Sequence, residues 1–226
     1  MAPREDLALL RLLQITSPAL PIGAYNFSQG LEWAVEAGWV REEGGVLDWC
    51  GGLLTHAVGT LDLPLLLRLR AALDAGDDAA ACGWSARLLA SRETAELRAE
   101  ERHLARALAK VLGELRVPGA SQWLQRPEAT HAALFALAAN HGAVASGPMA
   151  QGYCWSWCEN QVLAALKLMS LGQSAGQRIL DALLQRIPAV VAQAARLDDA
   201  DIGAAVPRAV MGSAWHETQY SRLFRS

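Results

Sequence analysis

Residues Arg92 to Leu115 read RETAELRAEERHLARALAKVLGEL, and this stretch decides the fold class. Apolar residues recur in it at spacings of three, four and seven with charges between them, the periodicity of an amphipathic helix. They are Leu97, Leu104, Leu108, Val111, Leu112 and Leu115. Outside this stretch Ala and Leu also dominate, and alternating β-branched residues are almost absent. The chain is therefore predicted to be all-α.

The same periodicity predicts a single-domain bundle of roughly ten helices over residues 1–226. A chain of 226 residues suits one sizeable core better than two. The prolines and glycine of Ser17 to Gly23 predict a stiff, extended segment. Pro64 suits the first turn of a helix, and Pro188 is expected to kink or split the helix around it. Other predicted helices run from about Val46 to Leu61, Ala79 to Ser91, Glu128 to Ala145, Met149 to Leu171 and Ser174 to Leu197.

Composition and charge exclude several classes of protein. Hydrophobic residues make up 52% of the chain and charged residues 19%, a globular balance. The net charge of -3 and the pI of about 6.0 lack the basic footprint that nucleic-acid binding needs. The least polar stretch, Ala129 to Ala150, is mostly Ala and is interrupted by histidine and asparagine. It predicts a buried core helix and no membrane span.

Cysteine usage favours a reduced, cytoplasmic protein. There are four cysteines in a long chain, and charges at Arg4, Glu5 and Asp6 do not resemble a signal peptide. Cys154 and Cys158 share a helix face, where packing is favoured over a clamp for a soft metal. The five histidines are isolated from one another. No metal site and no cofactor are predicted.

Motifs of catalysis and nucleotide binding are missing from the sequence. It contains no G-x-x-x-x-G-K-[S/T], no G-x-G-x-x-G and no G-x-S-x-G. No catalytic residue is predicted, and the chain is not expected to be an enzyme. Any nucleotide would have to be bound by a partner.

A row of basic residues follows one side of the Arg92–Leu115 helix at intervals of one turn. It comprises Arg98, Arg102, Arg106 and Lys110. Like charges at this spacing destabilise a helix slightly. The row is either a solvated helix face or a dock for an acidic partner surface, and the sequence leaves both open.

Two longer motifs carry more specific information. Residues Ser17 to Glu32 read SPALPIGAYNFSQGLE, and residues His216 to Ser226 read HETQYSRLFRS. Together they resemble the urease accessory protein UreF family. The stretches Glu93 to Arg98 and Lys167 to Gln173 also resemble family elements, so the resemblance spans the chain in the expected order.

The resemblance implies an all-helical, single-domain protein that is commonly a homodimer. Such a protein bridges the accessory protein UreD (also called UreH) and the GTPase UreG. Their complex docks on apo-urease, and GTP hydrolysis by UreG is coupled to nickel insertion into the urease active site. The implied role is that of an adaptor or chaperone without catalytic activity of its own.

Individual motif residues take expected roles from the same resemblance. Tyr25 and Lys167 match family positions on the side that faces the GTPase. The alternative for Tyr25 is a buried ring with a bonded hydroxyl, and for Lys167 a side chain that covers apolar surface. Trp155 matches a family dimer contact, although Gln151 lacks the charge that members can carry one turn earlier.

The C-terminal tail, at about residues 209–226, is expected to be mobile and to order on UreD. Aromatic residues mixed with arginine are typical of interface anchors. The alternative is that the tail packs onto its own domain. The tail residues assigned to UreD are His216, Glu217, Tyr220, Arg222, Leu223 and Phe224.

Three other functions compete with the adaptor. The chain could activate the GTPase through an arginine supplied in trans, for which the loop residues Arg116 and Arg126 are the first candidates. It could carry nickel itself, although it lacks a His-rich tract. It could also be a helical scaffold unrelated to urease, if both motif matches are chance.

Overall fold

The computed structural model describes residues 4–203 and 205–226, and all regular structure in these ranges is helical. Twelve α-helices are present, and ten remain when the short helices of six and five residues are set aside. The all-α prediction of roughly ten helices is therefore confirmed. The helices are α1 (Arg4–Thr16), α2 (Leu31–Glu36), α3 (Glu43–Leu53), α4 (Leu63–Ala75), α5 (Asp78–Ala90), α6 (Ala95–Glu114), α7 (Ala120–Leu124), α8 (His131–His141), α9 (Ser146–Leu168), α10 (Gln173–Leu184), α11 (Ile187–Ala194) and α12 (Pro207–His216).

The long amphipathic helix predicted from the sequence is α6. Thr94 caps its start, since the Thr94 hydroxyl accepts the amide of Leu97 at 3.2 Å. The apolar face, which includes Leu104, Leu108 and Leu112, is buried in the core. The opposite face, which carries Arg102, Arg106 and Lys110, is left to solvent.

Helix α8 lies at the centre of the core, between α4 and α6. Its residues from 132 to 139 are all buried, and most are alanines that let neighbouring helices approach closely. The predicted buried helix is thus confirmed, although it ends at His141. Ala143 adopts a left-handed φ of 54° and the amide of Val144 bonds back to Ala139, which closes the helix.

Pro64 lies in the first turn of α4, as predicted, but α3 and α4 are not separate helices. The π-helical residues Leu54–Asp62 join them into one continuous stretch from Glu43 to Ala75. Proline removes a backbone donor and crowds the preceding turn. We attribute the continuity to the wider π turns, which end just before Pro64 and accommodate its ring.

The stretch Glu43–Ala75 is, among the described residues, the one helical segment long and apolar enough to cross a membrane. However, 67% of its most apolar window is buried against the rest of the fold. Its apolar character is therefore explained by packing in the core.

Pro188 separates the last two core helices, as predicted. Helix α10 ends at Leu184, and Pro188 lies in the first turn of α11. A proline is tolerated there because the first backbone N–H groups of a helix have no intrahelical partner. The chain then continues to α12, which packs on α2.

Candidate partner-binding site

The motif from Ser17 to Glu32 folds as a turn followed by a short helix. A 3₁₀ turn, Ala24–Asn26, presents Tyr25 to solvent, and α2 begins five residues later. The Ser28 hydroxyl accepts the amide of Glu32 at 3.3 Å, which supports the start of α2 as the motif suggested.

Gly30 allows α12 to approach this motif closely. Its φ of 83° is left-handed, and a Cβ added there would lie 2.7 Å from the amide nitrogen of Ser213. From the other side, a Cβ on Gly212 would lie 3.2 Å from the Gly30 carbonyl oxygen. The two glycines therefore bring the backbones of α2 and α12 together and direct the tail back over the early motif.

The last residues of the chain pair with the early motif through their backbones. The Arg225 amide donates to the Asn26 carbonyl at 2.8 Å. The amide and hydroxyl of Ser28 both donate to Ser226 O, at 2.9 and 2.5 Å. The two motifs quoted from opposite ends of the sequence are therefore one structural unit.

The buried carboxylate of Glu32 holds the tail in place. It accepts the amides of Leu223 at 2.6 Å and Phe224 at 2.8 Å. The Nε2 atom of His216 lies 3.1 Å from the same carboxylate, and its Nδ1 atom lies 2.6 Å from Glu96. Glu32 belongs to the early motif, but this hold on the tail was not predicted from the sequence.

In the structure the tail packs onto its own domain, which is the alternative that the sequence offered to a mobile tail. His216 and Phe224 are buried. Glu217 caps α6, since its carboxylate accepts the amides of Ala95 at 2.8 Å and Glu96 at 3.2 Å. These three residues, assigned to a partner from the sequence, make contacts within the chain.

Other tail residues remain available at the surface. Tyr220 is 105% exposed and Leu223 is 64% exposed. Arg222 is partly engaged, because it donates to Glu96 at 2.7 Å. Any partner that binds the packed tail would contact these three side chains.

Tyr25 and Lys167, 142 residues apart, meet on the surface beside the tail. The Nζ atom of Lys167 donates to the Tyr25 carbonyl at 3.4 Å and lies 5.2 Å from the centre of its ring. It also lies 5.6 Å from the centre of the Phe224 ring. The Tyr25 side chain is 57% exposed, which excludes the buried alternative. We call this surface the Tyr25–Lys167 face.

Comparison with known proteins identifies the family of this chain. The sequence profile of the family described as UreF matches residues 40–184. A urease accessory protein UreF from Alkalilimnicola ehrlichii is 48% identical over 97% of this chain and 96% of its own length. Proteins of the same name from Hahella chejuensis and Teredinibacter turnerae are each 46% identical, over 97% and 96% of this chain and 99% and 98% of their own lengths. The chain belongs to the UreF family.

Behind the tail, this UreF-family chain buries a cluster of charges. The Arg92 guanidinium pairs with Asp62 and with Glu101 at 2.6 Å. Glu101 also accepts the His131 amide at 2.9 Å, and the Tyr153 hydroxyl donates to Asp62 at 3.4 Å. This cluster was not predicted from the sequence.

The pKa values within the cluster follow from burial and charge pairing. Burial opposes the charge of Arg92, but Asp62 and Glu101 more than offset it and raise the Arg92 pKa. Burial likewise disfavours ionised Glu101, yet Arg92 lowers the Glu101 pKa overall. Burial lowers the pKa of His131 and raises that of Tyr153. The Arg92 guanidinium and the Glu101 carboxylate therefore favour each other's charged form inside the core.

A cavity of about 140 Å³ connects this cluster with the surface site. Its lining includes Tyr25, Asp62, Glu100 and His131. Among the residues that the structure describes, no three His, Cys, Asp or Glu side chains converge as metal ligands. The charged side chains in this lining include Asp62, Arg92 and Glu101, and Arg92 forms ion pairs with both carboxylates.

Glu100 gives the fold a predicted pH dependence. Burial raises its pKa from the ordinary value of 4.5 to about 7, against the hydrogen bonds donated by Ser226 and Gln29. Between these pH values the folded state holds a proton that the unfolded state has lost. Stability should therefore fall as pH rises from about 4.5 to about 7, by up to about 3 kcal/mol from this group. Urea denaturation of wild type and Glu100→Gln at several pH values measures it.

The Glu100→Gln variant should lack this decline, so its stability relative to wild type should rise towards pH 8. The other carboxylates titrate in both proteins and cancel in the difference. A difference that is the same at pH 5 and at pH 8 would contradict the assignment.

Cys154 and Cys158 lie in the core as free thiols. Burial raises the pKa of both thiols, that of Cys158 to about 12. A buried thiol that keeps its proton is a poor metal ligand. Packing is therefore the role that the structure supports for this pair.

The remaining residues singled out from the sequence are Trp155, for the dimer contact, and Arg116 and Arg126, for an arginine supplied in trans. Trp155 is half-buried against the core, so part of its ring is left at the surface. Arg126 pairs with Asp78 at 2.7 Å and stacks 4.6 Å from the Trp123 ring centre, which disfavours it as an arginine finger. Arg116 is exposed after α6, in a left-handed conformation with a φ of 58°.

Proposed function

We propose that this chain is an adaptor of urease maturation that binds UreD and the GTPase UreG. In this proposal the three-protein complex docks on apo-urease, and GTP hydrolysis by UreG is coupled to nickel insertion. The chain contributes binding surfaces and no catalytic group or cofactor. It acts in the cytoplasm as a homodimer, with Trp155 at the contact between copies.

One observation carries the proposal beyond family membership. Tyr25 and Lys167, both assigned to the GTPase side from the motifs, lie in direct contact at the surface. An exposed tyrosine beside a lysine combines apolar area, a hydroxyl and a positive charge. Tyrosine is enriched at interfaces and among their energetic hot spots, and the lysine beside it contacts both Tyr25 and the tail residue Phe224. We therefore assign UreG to the Tyr25–Lys167 face.

The UreD side is assigned to the exposed part of the tail. Tyr220 and Leu223 project from a backbone that Glu32 already holds in place. A preorganised segment loses little conformational entropy when a partner binds it. Arg222 can exchange its bond with Glu96 for an acidic group of the partner.

Substitutions at the Tyr25–Lys167 face test the proposal. When this chain carries Tyr25→Ala or Lys167→Ala, its complex with UreD should capture UreG at least about tenfold more weakly, since truncating a hot-spot anchor typically removes about 2 kcal/mol or more of binding free energy. Binding of UreD should be unchanged. Affinity capture of purified UreG on the immobilised complex measures the first effect, and co-purification with UreD the second.

Lys167→Arg serves as the matched control, because it keeps the charge above the Tyr25 ring. If both alanine variants capture UreG as well as wild type does, the face is assigned wrongly. If the folded wild-type chain binds neither UreD nor UreG, the adaptor function itself is wrong.

A further inference from the structure

Three members of the basic row on α6 form no ion pair with the residues that the structure describes. Arg102, Arg106 and Lys110 are exposed, and none lies within 4.0 Å of a carboxylate in the described ranges. Elsewhere six arginines are paired with carboxylates: Arg68, Arg70, Arg92, Arg126, Arg178 and Arg222. Arg41 and Arg196 are also exposed and without such an ion pair, but they lie apart from each other, whereas the cations of the row stand one helical turn apart on one face of α6.

Two charged side chains of α6 that could change the net charge of the row point away from it. Arg98, its first member in the sequence, donates to the Arg92 carbonyl at 2.6 Å. Glu101 points into the core, where it binds Arg92 and the His131 amide. This leaves three cations, each one turn from the next and spanning about 12 Å of helix. We call Arg102, Arg106 and Lys110 the α6 strip.

A strip of like charges without ion pairs lowers the stability of the isolated fold. Like charges at this spacing destabilise a helix by a few tenths of a kcal/mol per pair. The chain has 23 acidic residues against 20 basic ones, so acidic side chains are not scarce. Within the described ranges no carboxylate forms an ion pair with the strip, although the exposed Glu114 lies one turn from Lys110.

The strip lies next to the Tyr25–Lys167 face. His103, between Arg102 and Leu104 on α6, stacks on Phe27 with ring centres 5.6 Å apart. Phe27 follows the 3₁₀ turn that presents Tyr25. Arg106 is one helical turn from His103, so it flanks this contact. Lys167 and the exposed Arg225, whose amide binds Asn26, add positive charge on the side of Tyr25.

We infer that the α6 strip is an electrostatic docking site for an acidic surface of the protein that binds the Tyr25–Lys167 face. This inference rests on the proposed function, which places the GTPase there. Carboxylates spaced about 6 Å apart, as on successive turns of a partner helix, would match the strip. The net charge of -3 argues against nucleic acid as the occupant.

Association kinetics of UreG with the complex of full-length chain and UreD test the strip. The double charge reversal Arg102→Glu with Arg106→Glu should slow association about tenfold at about 50 mM salt. The difference from wild type should shrink at about 300 mM salt, where exposed charges are screened. The matched control is Arg41→Glu with Arg196→Glu, which changes the net charge equally at exposed positions outside α6.

The control should associate within about twofold of the wild-type rate, as a site-specific effect requires. If the strip variant associates with UreG at the same rate as the control, the inference about the α6 strip is overturned. Capture of UreG by Tyr25→Ala then tests the proposed function independently. If the strip variant melts early, Arg102→Gln with Arg106→Gln replaces it, with an unchanged rate again counting against the strip. Duplex DNA that binds wild type but not the strip variant at about 150 mM salt would also overturn the inference.

Discussion

Replacing Arg92 with alanine is expected to lower the free energy of unfolding by about 4 kcal/mol. The guanidinium lies between Asp62 and Glu101, and all three side chains are largely buried. Without it, two carboxylates face each other in the core with no compensating charge. Breaking a buried ion pair from one side is strongly destabilising because the remaining charge stays desolvated. Urea denaturation monitored by circular dichroism measures the change.

Two variants separate this effect from the general loss of an arginine. Arg92→Lys keeps the charge but cannot reach both carboxylates with a planar fork, so it should fall between wild type and alanine. Arg102→Ala removes an exposed arginine from α6 and should change stability by no more than about 0.5 kcal/mol. If Arg92→Ala is as stable as Arg102→Ala, the buried cluster does not stabilise the fold.

The helical fold could be predicted because its determinants are local. The apolar periodicity of α6 and the alanines of α8 act within a few turns, and Pro188 divides α10 from α11 as expected. The continuity of α3 and α4 could not be predicted. A proline ordinarily ends a helix, and the π turns that accommodate Pro64 leave no simple pattern in the sequence.

The buried charge cluster was missed because its members are distant in sequence. Arg92 is 30 residues from Asp62, and Tyr153 is 91 residues from Asp62. One signal was available in α6 itself. Glu101 follows Leu97 by four residues and precedes Leu104 by three, so it lies on the apolar stripe. A charged residue there has to be paired inside the core.

The tail shows a different limit of sequence reasoning. Aromatic residues mixed with arginine predicted an interface anchor, and the same chemistry serves an intramolecular contact equally well. Phe224 packs within the chain, while Tyr220 remains exposed. Composition cannot separate these two cases, because the difference lies in where Glu32 and Gly30 direct the backbone.

Replacing Glu32 with alanine is expected to release the tail and to lower the free energy of unfolding by about 3 kcal/mol. The carboxylate accepts the amides of Leu223 and Phe224 and lies against His216. Hydrogen bonds to a charged acceptor contribute about 1.5–3 kcal/mol each, and the freed amides would have to find water. Hydrogen exchange at these two amides should accelerate to the rate of an unprotected segment.

Glu36→Ala is the matched control, since the exposed Glu36 lies one turn further along α2 and hydrogen-bonds to the half-buried side chain of Gln219 and not to the tail amides of Leu223 and Phe224. Its removal should leave exchange at Leu223 and Phe224 slow and stability within about 0.5 kcal/mol of wild type. Glu32→Gln retains one acceptor oxygen and should give an intermediate result. If exchange at both amides stays slow in Glu32→Ala, the tail is held by the packing of Phe224 and the Ser28–Ser226 bonds instead. The carboxylate would then be a tolerated buried charge and not the group that anchors the tail.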